Sequence, residues 1–275
     1  MDFLGKLFKP KNKRIYLDYA AATPVLPEVR REMEKYFSND FYNPNAIYEE
    51  GVRVKLEVLK FRRKIAEIMG ARATGVIFTS GATEANRIAS LAVGRKHLDA
   101  TQLIGYQHIT LERAKCDLIT ISSPKIYGPK GIGALIVRHS LDIKIPERGT
   151  PPVPLIAGFA KALEIAARDR EAEYKRLNSL SAWFAEEIKR LLPQSEVTRV
   201  LPNIVNVFVP GILPELLVLA LDRAGVLVSA GPACESAKPE PAETPVRFSL
   251  GKFTTQTEVR KAAEIFCHTV QNLLK

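Results

Sequence analysis

The sequence predicts an α/β protein made of two parts, and three observations support this prediction. A chain of 275 residues is long enough for two domains, or for one large α/β domain with an appendage. In the first part, short apolar runs alternate with segments of helical periodicity, which is the pattern of strands connected by helices. In the second part the order of strands and helices changes, which predicts a smaller α+β unit. We therefore expect a large domain over residues 15–168 and a small domain over residues 169–275.

Composition narrows the class of protein. An apolar fraction of 46% and a charged fraction of 25% are ordinary for soluble globular proteins and argue against a disordered or fibrous chain. Three cysteines, Cys116, Cys234 and Cys267, are too few for a disulfide framework, so we expect reduced thiols and a cytoplasmic protein. The net charge of +10 favours phosphate-rich or acidic partners without naming one.

No membrane partner and no nucleic-acid partner is predicted. No apolar run reaches the ~20 residues of a membrane helix, and residues 1–14 lack the apolar core of a signal peptide. Apolar and basic side chains over residues 3–14 leave open a small arm that binds a membrane or another protein; a solvated terminus is the favoured interpretation.

The first part begins with a strand and two helices. Residues 15–19 are β-branched and aromatic and precede a turn, which predicts a short strand. Apolar residues at helical spacing predict helices over 27–37 and 52–69, and Gly70 stands where a helix C-cap is expected. The next predicted elements are a strand over 75–79, a helix from 80–84 to residue 92, strands over 97–102 and 117–122, and a hairpin-like return over 134–137.

A turn of small residues, Ser80-Gly-Ala-Thr-Glu84, lies between a buried strand and a helix. Such a turn points backbone N–H groups and the positive end of the helix dipole at one spot, which binds phosphate. The alternative is that Ser80 or Thr83 only caps the helix, with Glu84 in its first turn. On this motif alone, capping is the favoured interpretation.

Lys125 follows the strand over 117–122 in a loop that contains Pro129 and several glycines. This setting favours a desolvated, reactive amine over a solvated surface lysine. The glycines do not fit the GxxxxGK[ST] or GxGxxG spacings, so the loop does not predict a nucleoside triphosphate site.

The remaining residues predict the elements of the small domain and its connection. They are helices over 152–168, 171–192, 214–224 and 257–274, and strands over 204–209, 226–229 and 246–250.

Five residues along the chain offer complementary chemistry. They are Thr83 at a helix start, Asp99 at a strand end, Lys125 in its loop, Cys234 in a loop of small residues, and Arg247 on a strand. Pyridoxal phosphate requires a lysine for its Schiff base, an acid that keeps the pyridine nitrogen protonated, and a helix N-terminus for its phosphate. The combination predicts a pyridoxal phosphate site.

The four histidines lack metal-ligand spacing and predict no metal.

These motifs make the sequence similar to the class V, fold-type I pyridoxal phosphate enzymes, and within them to the cysteine desulfurases of the NifS and IscS kind. The matching segments run in family order and are YLDYAAATP from Tyr16, NP from Asn43, FTSGATE from Phe78, DATQ from Asp99, KIYGPKGIGAL from Lys125, GTPPVP from Gly149, AC at Ala233, and RFSLG from Arg247. The resemblance implies a large domain with a mainly parallel sheet, a small α+β domain that carries the cysteine loop, and a homodimer.

The resemblance also implies a role for each matching residue. Lys125 forms the Schiff base with pyridoxal phosphate and then moves the substrate Cα proton, Asp99 pairs with the pyridinium nitrogen, and Gln102 binds the ring hydroxyl. The phosphate is held by Ala82, Thr83 and Ser122, with Thr150 placed to reach it from a second subunit. Arg247 takes the substrate carboxylate as a bidentate pair. The Cys234 thiolate attacks the sulfur of L-cysteine, which leaves a persulfide on the enzyme and L-alanine as product.

By the same resemblance, the persulfide sulfur passes to an acceptor or scaffold protein for the biosynthesis of iron-sulfur clusters or thiocofactors. Two alternatives stay open: a catalytically inactive, shortened desulfurase-like scaffold, and another class V lyase or aminotransferase.

Departures from the family pattern motivate the inactive alternative. In the family, roughly a hundred residues separate the positions that match Thr83 and Asp99, and they form several βαβ units of ~30 residues each. In this chain fifteen residues separate them. Pro124 stands where the family has a histidine, and the stretch before Gly149 is short. Either the chain is a shortened relative whose sheet has lost central strands, or the sequence joins segments that further loops separate in a longer protein; the second is the favoured interpretation.

Overall fold

The computed structural model describes residues 14–138, 149–231 and 244–274. These residues form two compact units. The first contains residues 22–138 and 149–172, and the second contains residues 14–21, 173–231 and 244–274. Residues 15–21, which the sequence assigns to the large domain, thus lie in the second unit. Within the described ranges, no helix combines the length and apolarity required to cross a membrane.

The first unit is built on a four-stranded sheet in the order β2-β5-β4-β3. Its strands are β2 (Val76–Thr79), β3 (His97–Asp99), β4 (Leu118–Ser122) and β5 (Gly133–Val137). Strands β3 and β4 are parallel, while β5 is antiparallel to both β2 and β4. The expectation of a mainly parallel sheet is corrected here to a mixed one. The cause is the short connection from β4 to β5, which returns the chain as the predicted hairpin-like pair.

Three helices of the first unit carry clear sequence signals. Helix α1 (Pro27–Ser38) begins with proline, whose missing N–H costs nothing at a helix start. Helix α2 (Glu49–Met69) ends at Gly70, which has a φ of 63° and confirms the predicted C-cap. Helix α3 (Ala82–Ser90) follows β2 directly. The predicted strands and helices of this part are confirmed, with ends displaced by a few residues.

The core of the first unit lies where the sheet meets its helices. Fully buried side chains from α2, β4 and the following helix pack into one cluster, represented by Ile65, Met69, Ile119, Ile121 and Phe159. At about 25 cal/mol per Å², the burial of such side chains is the main stabilising contribution to this unit.

Helix α4 runs without interruption over Val153–Leu191. The prediction of two helices broken between residues 168 and 171 is therefore wrong. No glycine or proline stands at the supposed break, and the residues there, Arg168 to Glu171, are tolerated within a helix. Residues 153–172 of α4 belong to the first unit and residues 173–191 to the second.

The second unit contains two small sheets. One has the order β6-β7-β10-β9, and the other pairs β1 with β8 in parallel. The strands are β1 (Ile15–Tyr16), β6 (Glu196–Leu201), β7 (Ile204–Phe208), β8 (Val226–Leu227), β9 (Ser229–Ala230) and β10 (Val246–Ser249). Strand β6 was not predicted. Its residues are mostly exposed, and apolar and polar side chains do not alternate along it. The predicted strand over 226–229 is split between the two sheets.

Helices α5 (Pro214–Arg223) and α6 (Gln256–Leu273) complete the second unit. Helix α6 begins with a capping box, in which Thr255 Oγ1 accepts the Glu258 N–H and the Glu258 carboxylate accepts the Thr255 N–H. The core contains the fully buried rings of Phe184, Phe248 and Phe266. The Phe248 centroid lies 4.9 Å from that of Phe184 and 5.2 Å from that of Phe266.

Candidate active site

Strand ends of the first unit converge at one edge of its sheet. Because β3 and β4 are parallel, Asp99 and Ser122 stand at the same edge. Gly133, at the start of β5, pairs with Ser122 on one side and with Thr79, the last residue of β2, on the other. Asp99 and Ser122 lie on neighbouring strands, which are about 4.8 Å apart. Helix α3, which begins after β2, reaches the same edge, since Asn86 Nδ2 donates to the Asp99 carboxylate at 2.8 Å.

The turn after β2 carries the start of helix α3. The residue at the N-cap is Gly81, and no side chain caps the helix there, so the capping role considered for Ser80 or Thr83 is not observed. The Glu84 carboxylate instead accepts the Ser80 N–H at 2.6 Å. Ala82 is half-buried and Thr83 is exposed at the first turn, where backbone N–H groups lack partners within the helix.

Asp99 is held in place by two hydrogen bonds. Its carboxylate accepts the Asn86 Nδ2–H of α3 at 2.8 Å and the Thr101 N–H at 2.9 Å. His97, two residues earlier, has Nε2 at 2.9 Å from Thr120 Oγ1. Burial lowers the pKa of His97, and the opposing effect of the Asp99 charge is the smaller one. Asp99 is thus fixed between β3 and α3 beside a neutral imidazole.

Lys125 ends a short 3-10 helix, Ser123–Lys125, that follows β4 immediately. Lys125 is half-buried, and the desolvated, reactive amine stays a prediction. Gln102 is also half-buried, in the turn after β3. The structure therefore brings six candidate residues of the first unit to one sheet edge, at the ends of β2, β3 and β4: Ala82, Thr83, Asp99, Gln102, Ser122 and Lys125.

The profile of the family described as aminotransferase class V matches residues 15–98, 96–148 and 145–261. These segments include most of the chain. This chain belongs to the class V aminotransferases. The match includes the sheet edge just described and the strand that carries Arg247.

Curated relatives of this class V aminotransferase carry the name cysteine desulfurase IscS. That of Dictyoglomus turgidum is 25% identical over 376 positions, which cover 95% of this chain and 95% of the relative. That of Salmonella schwarzengrund is 29% identical over 378 positions, which cover 94% and 93%.

Solved structures support the fold. A NifS-like protein has a TM-score of 0.84 at 22% identity, covering 94% of this chain and all of that one. The apo cysteine desulfurase of Thermococcus onnurineus NA1 has a TM-score of 0.81 at 15% identity, covering 95% and 96%. The predicted fold-type I α/β class is confirmed.

The class V match shows where this chain is short. An alignment of 376 positions exceeds the 275 residues of the chain by at least 101, and those positions of the relative have no counterpart here. The predicted shortening is thus confirmed, and the matched segments overlap at residues 96–98 and 145–148, next to Asp99 and Gly149. The first junction lies at β3, whose only partner strand among the described residues is β4.

Three buried polar atoms near this edge test whether a cofactor fits. Asn86 Oδ1, Thr101 Oγ1 and Ser123 Oγ are buried and have no hydrogen-bond partner in the described structure. Asn86 and Thr101 both donate to Asp99, while Ser123 begins the helix that bears Lys125. Buried polar atoms of this kind require a ligand or water. Together with the acid, the amine and the helix N-terminus, they fit pyridoxal phosphate.

Thr150 lies beside the turn after β2. It is exposed and lines a cleft of about 420 Å³ with Ser80, Glu84 and Gly131. The contact of Thr150 with the cofactor phosphate of a second subunit stays a prediction.

Arg247 lies in the second unit, on β10. Only 6% of the residue is exposed, and Nη2 donates to Asp18 Oδ1 at 3.0 Å. Asp18 belongs to the YLDYAAATP segment, so this motif supplies the counterion of the predicted substrate-binding arginine. Sequence reasoning missed that pairing, which joins residues 229 positions apart.

The cysteines fall into different settings. Cys234, the predicted nucleophile, lies outside the described residues. Cys267 is buried in α6, and burial raises the pKa of its thiol to about 11, which suits a core residue. Cys116 packs against the main apolar cluster.

Among the described residues, no group of three or more His, Cys, Asp or Glu side chains is arranged for a metal ion.

Gly133 sets how closely the strands approach at the site. A Cβ at this position would lie 2.8 Å from the Ile121 carbonyl oxygen and 3.0 Å from the Gly81 carbonyl carbon, both backbone atoms. We expect Gly133→Ala to lower the free energy of unfolding by about 2 kcal/mol, because backbone cannot rotate away as a side chain can. The measurement is urea unfolding followed by far-UV circular dichroism.

Gly105→Ala is the matched control for Gly133→Ala. Its added Cβ would meet only Ile126 Cγ2 at 3.6 Å, an ordinary contact. We expect a change of less than about 0.5 kcal/mol for this control. Equal effects of the two substitutions would contradict the close approach at Gly133.

Proposed function

We propose that this class V aminotransferase is a pyridoxal phosphate-dependent cysteine desulfurase, which converts L-cysteine to L-alanine and retains the sulfur as a persulfide on Cys234. The observation that carries the proposal is the convergence of Asp99, Ser122 and Lys125 at one sheet edge beside the start of α3. The names of the IscS relatives support the choice of substrate within the family.

The proposed cofactor residues are those of the first unit. Ala82, Thr83 and Ser122 would hold the phosphate, with Thr150 from a second subunit, and Gln102 would bind the ring hydroxyl. Asp99 would bind the pyridinium nitrogen. The hydrogen bonds from Asn86 and Thr101 orient the Asp99 carboxylate for this contact. When bound, pyridoxal phosphate supplies an electron sink for the carbon next to the substrate nitrogen. Lys125, once displaced by the substrate amine, would take and return the Cα proton.

The proposed substrate residues are Arg247 and Cys234. The Arg247 guanidinium would bind the substrate carboxylate, and its fork of donors suits that planar group better than an ammonium would. The Cys234 thiolate would attack the substrate sulfur, with the electrons of the broken C–S bond remaining on the carbon that becomes alanine. We propose that a sulfur-acceptor or scaffold protein then takes the sulfur for iron-sulfur cluster or thiocofactor biosynthesis, and that the enzyme is a cytoplasmic homodimer.

Two variants test this function. Purified protein mixed with pyridoxal phosphate is expected to develop visible-range absorption that Lys125→Ala abolishes, because the lysine is the attachment point. With L-cysteine and a reducing thiol, it is expected to release sulfide and alanine, and Cys234→Ala is expected to abolish both. An absorption spectrum that Lys125→Ala leaves unchanged would overturn the cofactor assignment. Turnover of another amino acid by Cys234→Ala would instead support a class V lyase or aminotransferase.

A second candidate function is a catalytically inactive scaffold that keeps the fold. The observation in its favour is the loss of at least 101 positions, with one junction at β3 beside Asp99. Strand β3 has one strand neighbour among the described residues. The same assay distinguishes the two candidates, since cysteine-dependent sulfide release that requires Cys234 excludes the scaffold.

A further inference from the structure

Thr23 holds the loop that carries Lys125 by contacts on both sides of the lysine. Its Oγ1 donates to the Pro124 carbonyl at 3.0 Å and accepts the Tyr127 N–H at 2.9 Å. Its own backbone N–H also donates to the Pro124 carbonyl, at 3.2 Å. One hydroxyl therefore bridges the residue before Lys125 and the second residue after it.

We call the bonds of Thr23 to Pro124 and Tyr127 the clamp. Further contacts extend this clamp. The Leu26 N–H donates to the Tyr127 carbonyl at 3.1 Å, so residues 23–26 and 124–127 run side by side. On the other side of the loop, the Ser123 carbonyl accepts the N–H groups of Ile126 and Gly128, each at 3.1 Å. Thr23 itself is only 7% exposed, so water competes little for its hydroxyl.

The clamp also maintains an unfavourable backbone conformation. Tyr127 has a φ of 66°, in the left-handed region that costs a non-glycine residue about 1 kcal/mol or more. Such a conformation persists only where surrounding contacts determine it, and Thr23 Oγ1 binds the N–H of this very residue. Without that bond, we expect the loop to relax and Lys125 to move.

We propose that Thr23 is a positioning residue for Lys125: its hydroxyl fixes the loop so that the amine points at the site formed by Asp99 and the start of α3. Thr23 acts through the loop and touches no reacting atom. The inference rests on the proposed function, because it gives Lys125 the role of cofactor attachment. It assigns a task to the end of the YLDYAAATP segment, since Thr23 lies in the first unit while Tyr16 to Ala21 lie in the second.

The test compares Thr23→Val, which removes the hydroxyl at equal size, with Thr23→Ser, which keeps it. We expect the rate at which visible absorption develops with pyridoxal phosphate to fall at least about tenfold in Thr23→Val, since a displacement near 1 Å already costs up to 10²-fold. Thr23→Ser is expected to stay within about threefold of the parent protein. Thr254→Val is the control: this threonine is 3% exposed, its hydroxyl accepts the Gly251 N–H at 2.9 Å, and it lies in the second unit.

A second readout needs neither cofactor nor a folded variant. In the parent protein without pyridoxal phosphate, we expect the Tyr127 amide to exchange with deuterium at least about tenfold more slowly than an unprotected loop amide. Thr23→Val, where it folds, should remove that protection and Thr23→Ser should retain it. An unprotected Tyr127 amide in the parent protein would overturn the proposal.

The outcomes separate this proposal from the function on which it rests. If Lys125→Ala abolishes the absorption and Thr23→Val behaves as the parent protein in both readouts, Thr23 has no positioning role and the cofactor assignment stands. If Lys125→Ala leaves the absorption unchanged, the assignment of Lys125 fails, whatever Thr23 does to the exchange of the Tyr127 amide.

Discussion

Replacing Phe248 with alanine is expected to lower the free energy of unfolding of the second unit by about 3–5 kcal/mol. The Phe248 ring is fully buried and contacts the rings of Phe184 and Phe266, so the substitution removes apolar contacts from both neighbours and leaves a cavity. Typical domains are stable by only 5–15 kcal/mol, so a large part of the total would be lost.

The single tryptophan makes this expectation measurable. Trp183 lies in the second unit, so its fluorescence during urea unfolding reports on the unit that contains Phe248. The matched control is Phe253→Ala in the same unit, where the ring is 49% exposed and a cost below about 1 kcal/mol is expected. Equal midpoints for the two variants would show that the aromatic cluster is not the core of this unit.

Local sequence signals predicted most of the helices and strands. The helix ending at Gly70 shows why: apolar residues at helical spacing and a residue that tolerates positive φ are both local features. The hairpin-like return over 134–137 was likewise predicted, and β5 pairs antiparallel with β4. Where local signals were weak, the predictions failed, as in β6 and in the supposed break near residue 170 of α4.

Contacts that orient the site could not be predicted from the sequence in this way. Thr23 contacts residues 101 and 104 positions away, and Arg247 contacts Asp18 at a separation of 229. Motif spacing identified Lys125, Asp99 and Arg247 as residue types suited to the chemistry, but it carries no information on which distant residue holds each one. Only the folded chain brings those partners together.

The pairing of Arg247 with Asp18 supports a second large stability effect. The Arg247 and Asp18 side chains are 7% and 17% exposed, so Asp18→Ala would take the Asp18 carboxylate away from a largely buried guanidinium charge. We expect this substitution to lower the free energy of unfolding by about 3 kcal/mol, measured by Trp183 fluorescence. Glu186→Ala is the control, because Glu186 pairs with Lys189 at the surface of the same unit, where removal costs less than about 1 kcal/mol.

A double variant separates loss of attraction from burial of a guanidinium charge that has lost the Asp18 carboxylate. Arg247→Met removes the charge and retains an apolar side chain, so Asp18→Ala combined with Arg247→Met is expected to be more stable than Asp18→Ala alone. This order of stabilities would show that Asp18 is needed because Arg247 is charged and buried. If the double variant is instead less stable than Asp18→Ala, the arginine stabilises the unit through its other contacts, and Asp18 is not its essential counterion. In the proposed enzyme, the same charge would attract the carboxylate of L-cysteine, so the counterion keeps a substrate-binding cation stable before the substrate arrives.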